Sequence, residues 1–242
     1  MKSSLWLLYD QRVSKFARFV LAALLPVGLL SISAVTAGPA GAAFSPDRPN
    51  GVKDPCRIPE RAKKLLCPDL KLGPPSDMYL DRSPRGRQLL RATNDIRSRG
   101  QGPMELRGHR DQRFSMNVTQ AIKRRGGGHA LFPTQGRLRF FTVGYRWGGS
   151  YWKVRDPLRF ELWRIDNKRR KTRMVRTGPK QFYCFRDLER TNPSRRSPRR
   201  AVYPACNQNP RVRHTKLGTS VGWSDIYPST YHLQWINVTG LR

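Results

Sequence analysis

Residues 137–165 read RLRFFTVGYRWGGSYWKVRDPLRFELWRI. In RLRFFTVGYR (137–146) and PLRFELWRI (157–165) the spacing of apolar side chains approaches a repeat of two, and aromatic and β-branched residues are dense. That period puts successive side chains on opposite faces of an extended chain, so each run predicts a strand. The piece between them, GSYWK (149–153), reads as an aromatic, basic turn.

Outward from this stretch the same period recurs. It is found in LLRATNDI (89–96), MELRG (104–108), FSMNVTQAIKR (114–124), TRMVRT (172–177), KQFYCFRD (180–187), VGWSDIYP (221–228) and YHLQWINVTG (231–240). Breaks such as SRGQGP (98–103) and RRGGG (124–128) carry the glycine and proline that turns require. No ten-residue segment shows a 3.6-residue repeat. The expectation is an all-β domain over residues 67–242, built as an antiparallel β-sandwich.

The N-terminal segment differs. Lys2, Arg12, Lys15 and Arg18 precede the apolar run FVLAALLPVGLLSISAV (19–35), and small residues TAGPAGAA (36–43) follow. Basic, apolar and small in that order predict a secretion signal over residues 1–43, cut near Ala40-Gly41-Ala42. An apolar run broken by Pro26 and Gly28 is short for a membrane span. The expected location is therefore secreted or cell-surface. Residues 44–66 are Pro-rich and basic, with one helical turn expected at PERAKKLL (59–66).

The chain has 47 Lys+Arg against 16 Asp+Glu, a net charge of +31. Removing residues 1–43 takes four basic residues and one acid and leaves about +28, a property that speaks to partners and not to fold. Three clusters fall in expected turns or loops: Lys123, Arg124 and Arg125; Lys168, Arg169, Arg170 and Lys171; and Arg195, Arg196, Arg199 and Arg200 within RTNPSRRSPRR (190–200). For a secreted chain, an anionic wall polymer or membrane surface is the expected partner. Arginine interleaved with Trp and Tyr in YRWGGSYWKVR (145–155) could stack bases, but a specific nucleic-acid target does not suit that compartment.

Four cysteines, Cys56, Cys67, Cys184 and Cys206, follow the signal. An even number in an oxidising compartment predicts two disulfides. Three connectivities exist, and the local one, Cys56–Cys67 with Cys184–Cys206, is expected.

Several stretches together resemble the lysyl oxidase family. PDLKLGPPSDMYL (68–80) is similar to its opening strand, LLRATNDIRSRGQGPMELRG (89–108) to its "LRFsntixNxGxGpLelrg" stretch, and KQFYCFRD (180–187) to its "KxSFCLeD". GTSVGWSDIYPSTYHLQWINVTG (218–240) is similar to its closing "GiSxGwxDxY…QWIDiTg". The likeness spans residues 68–240 and implies a lysyl oxidase-like sandwich. It also implies copper, held by histidines of an "HxHWH" motif before a strand to which DPLRFELWR (156–164) corresponds. Here Gly149, Tyr151 and Lys153 stand at the three histidine positions. Lys180 matches the lysine that the animal enzymes join to an oxidised tyrosine. The precursor tyrosine's position holds Ser224, and Tyr227 matches a second tyrosine that is not the precursor.

The histidines, His109, His129, His214 and His232, are isolated in sequence and read as surface or structural residues, His232 within a strand. Asp156, Glu161, Asp166, Asp187, Glu189 and Asp225 read as partners for the abundant arginine, and Lys180 reads as one more exposed base. A P-loop and H-E-x-x-H do not occur. Asn117 and Asn237 head glycosylation sequons. The expected function is a catalytically inactive, lysyl oxidase-like binding module for anionic polymers, with no cofactor. The alternative is a copper-dependent amine oxidase with a rearranged site.

Overall fold

The computed structural model describes residues 54–144, 146 and 148–241, and the backbone of residues 3–9. The remainder of the expected signal segment lies outside the described residues. Among the described residues, fifteen strands follow in chain order. They are β1 (Ser3–Tyr9), β2 (Leu65–Leu66), β3 (Leu70–Leu72), β4 (Ser76–Arg82), β5 (Gln88–Ser98), β6 (Met104–Gln112), β7 (Ser115–Arg124) and β8 (His129–Thr142). Then come β9 (Ser150–Arg155), β10 (Leu158–Ile165), β11 (Lys171–Thr177), β12 (Phe182–Tyr183), β13 (His214–Thr219), β14 (Ser224–Tyr227) and β15 (Trp235–Asn237).

The architecture is the expected all-β antiparallel sandwich. One layer runs β12-β9-β8-β7-β6-β13, with β2 added to β7. The facing layer is built on β5, whose C-terminal half pairs with β3 and β14 and whose N-terminal half pairs with β4 and β15. The β10–β11 hairpin forms a third sheet, with β1 parallel to β10.

The main core lies between the two layers. Ile96 and Tyr227 meet Met116, Val118, Leu138, Trp152 and Val154 there. A second cluster joins Ala92 and Ile236 to Phe160 and Leu162 of β10. A third, Leu65, Ile122 and Ala130, packs beside the Cys56–Cys67 disulfide. The second disulfide is Cys184–Cys206, so both pairs are the local ones. One turn of α-helix, Pro59–Ala62, lies in the Pro-rich segment as expected.

GSYWK is not a turn. Ser150–Arg155 is β9, in register with β8 so that Phe140 faces Trp152 and Phe141 faces Tyr151. The turn lies earlier, where Gly144, Gly148 and Gly149 take φ of 81°, 95° and 76°, a conformation that favours glycine. Tyr151, Trp152, Lys153 and Val154 are all buried. A strand covered on both faces loses the alternation that marks a half-exposed one.

Two other strands are shorter than the sequence suggests. In KQFYCFRD only Phe182 and Tyr183 pair with β9. YHLQW begins as a turn, with Tyr231 N–H bonded to the Pro228 carbonyl and Leu233 at φ 57°. At one edge of the β5 layer, β4 exposes Met78 (57%), Tyr79 (42%) and Leu80 (66%) in succession.

Candidate functional site

β9, the segment 180–186, β14 and the turn after it converge on one buried cluster. β9 supplies Tyr151 and Lys153, and β14 supplies Asp225 and Tyr227. The intervening segment supplies Lys180, Tyr183 and Arg186, and the turn supplies Tyr231 and His232. Asp225 and Tyr227 alternate with Ser224 and Ile226 along β14, so the carboxylate and phenol share a face.

Lys180 is 4% exposed. This corrects its reading as a surface base. Its Nζ lies 4.2 Å from the ring centre of Tyr227, 4.3 Å from that of Tyr231 and 5.0 Å from that of Tyr183. Lys153 is 1% exposed. Its Nζ donates to the Tyr231 hydroxyl at 3.3 Å and sits 4.5 Å from the centre of the Tyr151 ring. The Tyr151 and Tyr231 hydroxyls are hydrogen-bonded to each other. Tyr227 accepts from Cys184 N–H (2.9 Å) and donates to the Cys184 carbonyl (3.0 Å), pinning the segment to β14.

Neither carboxylate oxygen of Asp225 has a hydrogen-bond partner in this geometry, so it is not the arginine-paired acid that was expected. Burial raises its pKa to about 8, against the pull of the Arg186, Lys180 and Lys153 cations. Burial lowers Lys153 to about 7, opposed by Asp225 and helped by Arg186. Burial, then the Lys153 charge, lowers Lys180 well below the lysine range. Low dielectric favours the uncharged forms of both acid and amine. A neutral lysine amine is a nucleophile toward carbonyl carbon, and here both amines belong to nearly covered side chains.

The positions matched to the family's copper ligands do not fit copper. That ion needs several imidazole nitrogens in a compact arrangement. Gly149 has no side chain, Tyr151 spends its hydroxyl on Tyr231, and Lys153 lies among aromatic rings. Ser224 faces away from Lys180 and bonds Thr191, while the neighbouring phenols are Tyr227, Tyr231 and Tyr183. Among the described residues, no three His, Cys, Asp or Glu side chains gather as a metal site.

The other acids are placed as partners or as local ties. Asp156 meets Arg155, Asp166 meets Arg170, and Glu161 accepts from Trp163 and lies 3.8 Å from Arg159. Asp187 accepts from Val202 N–H, Tyr203 N–H, Ser220 N–H and the Ser220 hydroxyl. The backbone of Glu189 bridges to Ser224.

All eleven residues of the three basic clusters are exposed. Two clusters lie round the β5–β6 turn. Arg125 donates to the Lys63 carbonyl and to Gln101. The 190–200 loop is tied to β14 and its preceding turn through Asn192 N–H to Gly222 and Trp223 Nε1 to Pro198. Trp223 and Gly222 in turn bond Ser98 at the end of β5. Lys168–Lys171 instead occupy the tip of the β10–β11 hairpin, beyond the second core cluster, so the three do not form one continuous face.

His232 lies in the turn beside Phe141, not in a strand. His129 lies 3.9 Å from Glu105. His109 and His214, 105 residues apart, are cross-strand neighbours. Their pairing has no trace in sequence spacing. No family model matches the chain, and neither a curated protein nor a solved structure matches it.

Proposed function

We propose that this chain is a secreted, lysyl oxidase-like binding module that holds anionic cell-surface or wall polymers and carries no oxidase chemistry. The observation that carries the reading is the contrast between interior and exterior. The lysines of the buried cluster are nearly covered, whereas the arginine and lysine clusters are all exposed. Tyr151, Lys153 and Lys180 all border Tyr231 in that cluster. The amine-oxidase alternative draws no support from the ligand positions, which do not fit copper.

Exposed guanidinium groups bind polyanions by releasing condensed counterions, so affinity falls steeply as salt rises. The test is a salt series with a polyglycerol phosphate and a polyuronate, using Arg195, Arg196, Arg199 and Arg200 changed together to Gln. Weaker binding and a shallower salt dependence are expected in the variant. Binding that is the same at low and high salt overturns the proposal.

A further inference from the structure

We infer that His109 and His214 form a zinc(II) site on the outward face of the larger sheet. His109 on β6 is paired in register with His214 on the edge strand β13. Arg110 N–H donates to the Arg213 carbonyl at 2.8 Å. The adjacent pair, His109 and His214, is therefore a non-hydrogen-bonded one, the kind that brings opposed side chains closest. A Cβ on Gly108 would strike Leu138 and Met116 of the core, so residues 107 and 109 point outward. Both imidazoles are exposed and open to an incoming ion.

The two Nδ1 atoms stand 3.3 Å apart, with the rings tilted by 42°. That separation is long for a nitrogen–nitrogen hydrogen bond. It suits a shared tetrahedral ion: two nitrogens each about 2.0–2.1 Å from zinc at the tetrahedral angle lie roughly 3.3–3.4 Å apart. A square-planar ion would need them at about 2.9 Å, so the geometry favours zinc even though copper(II) binds imidazole more strongly in general.

Arg107 and Lys216 share this face, paired opposite each other one step along the ladder, and Arg137 lies beyond Asn117 in the same row, held by Asp111 at 2.6 Å. Arg107 is compensated by Glu105 at 2.6 Å. Lys216 is exposed, and salt screens it. Next to His214, Arg107 and Lys216 border a cleft of about 590 Å³, also lined by Asn207 and Thr215. Water or an oxyanion drawn by these cations completes the zinc shell beside the two histidines.

The test is titration of zinc(II) into the disulfide-intact full chain by calorimetry, with imidazole resonances followed by NMR. Saturation at a single equivalent is expected, with shifts at His109 and His214 and none at His129 or His232. His109→Gln and His214→Gln each weaken binding by at least the roughly 10–100-fold that losing a mere outer-shell partner costs. Both positions are exposed, so the variants keep the fold. Absence of saturable binding, or undiminished binding in the double variant, overturns the site and leaves a hydrogen bond between the rings only.

Discussion

Lys180 and Tyr227 meet inside the sandwich, with the lysine Nζ 4.2 Å from the centre of the phenol ring. A cation over an aromatic face is attracted to it, yet here burial drives the amine toward its neutral form. The same conflict runs through Lys153 and Asp225, and it makes the cluster a source of pH-dependent stability.

Lys153→Met is expected to stabilise the protein most at and below pH 7. There the wild type holds a buried cation. Above about 7 the folded amine loses its proton, while the unfolded one keeps it up to the ordinary value of 10.5. The unfolded state then binds more protons, so wild-type stability rises with pH across that window. Thermal melts of both proteins from pH 6 to 10 check this. A gain that does not shrink as pH rises contradicts it.

Asp225→Asn carries the opposite sign. The folded carboxyl holds its proton up to about 8, while the unfolded one releases it near 3.8. Wild-type stability from this group therefore falls as pH rises from about 4 to 8, and the variant removes that fall. Its advantage should be greatest above pH 8 in denaturant titrations. The double variant with Lys153→Met should be non-additive, because the two groups bias each other's protonation.

Asp187→Ala should cost about 2–4 kcal/mol, because it leaves four buried or half-buried donors without their acceptor. The loop that carries Arg195–Arg200 would loosen with it. Hydrogen exchange at Tyr203 and Ser220 reads the loss directly, and unchanged protection there would refute the role.

Gly218→Ala should destabilise by about 1–3 kcal/mol through overpacking. The added Cβ would lie 2.6 Å from the Met104 carbonyl oxygen and 2.7 Å from the Tyr203 ring. Because the first of these is backbone, the strand pair cannot relieve the clash by a rotamer change. A denaturation midpoint equal to that of the wild type would contradict this packing.

The sandwich was legible wherever a strand keeps one face in water, because alternation then survives, as in Leu89–Ile96 of β5. It was not legible in Tyr151–Val154, which are covered on both faces. The disulfides followed from an even cysteine count and the choice of the shorter spacings. Lys180 misled because lysine is ordinarily exposed, and nothing local in KQFYCFRD reports the tyrosines that arrive from residues 227 and 231. His109 and His214 could not be joined from sequence, since strand order alone makes them neighbours.

The apolar edge strand β4 has a consequence for how the protein behaves in bulk solution. A net charge of +31 keeps copies apart, and Asp77 on one side and Asp81 and Arg82 on the other flank the row of Met78, Tyr79 and Leu80. Added electrolyte strips away that long-range repulsion while leaving edge-to-edge pairing intact. The salt that releases a polyanion is thus also the salt at which the freed protein turns colloidally unstable, so light scattering should climb as polymer dissociates.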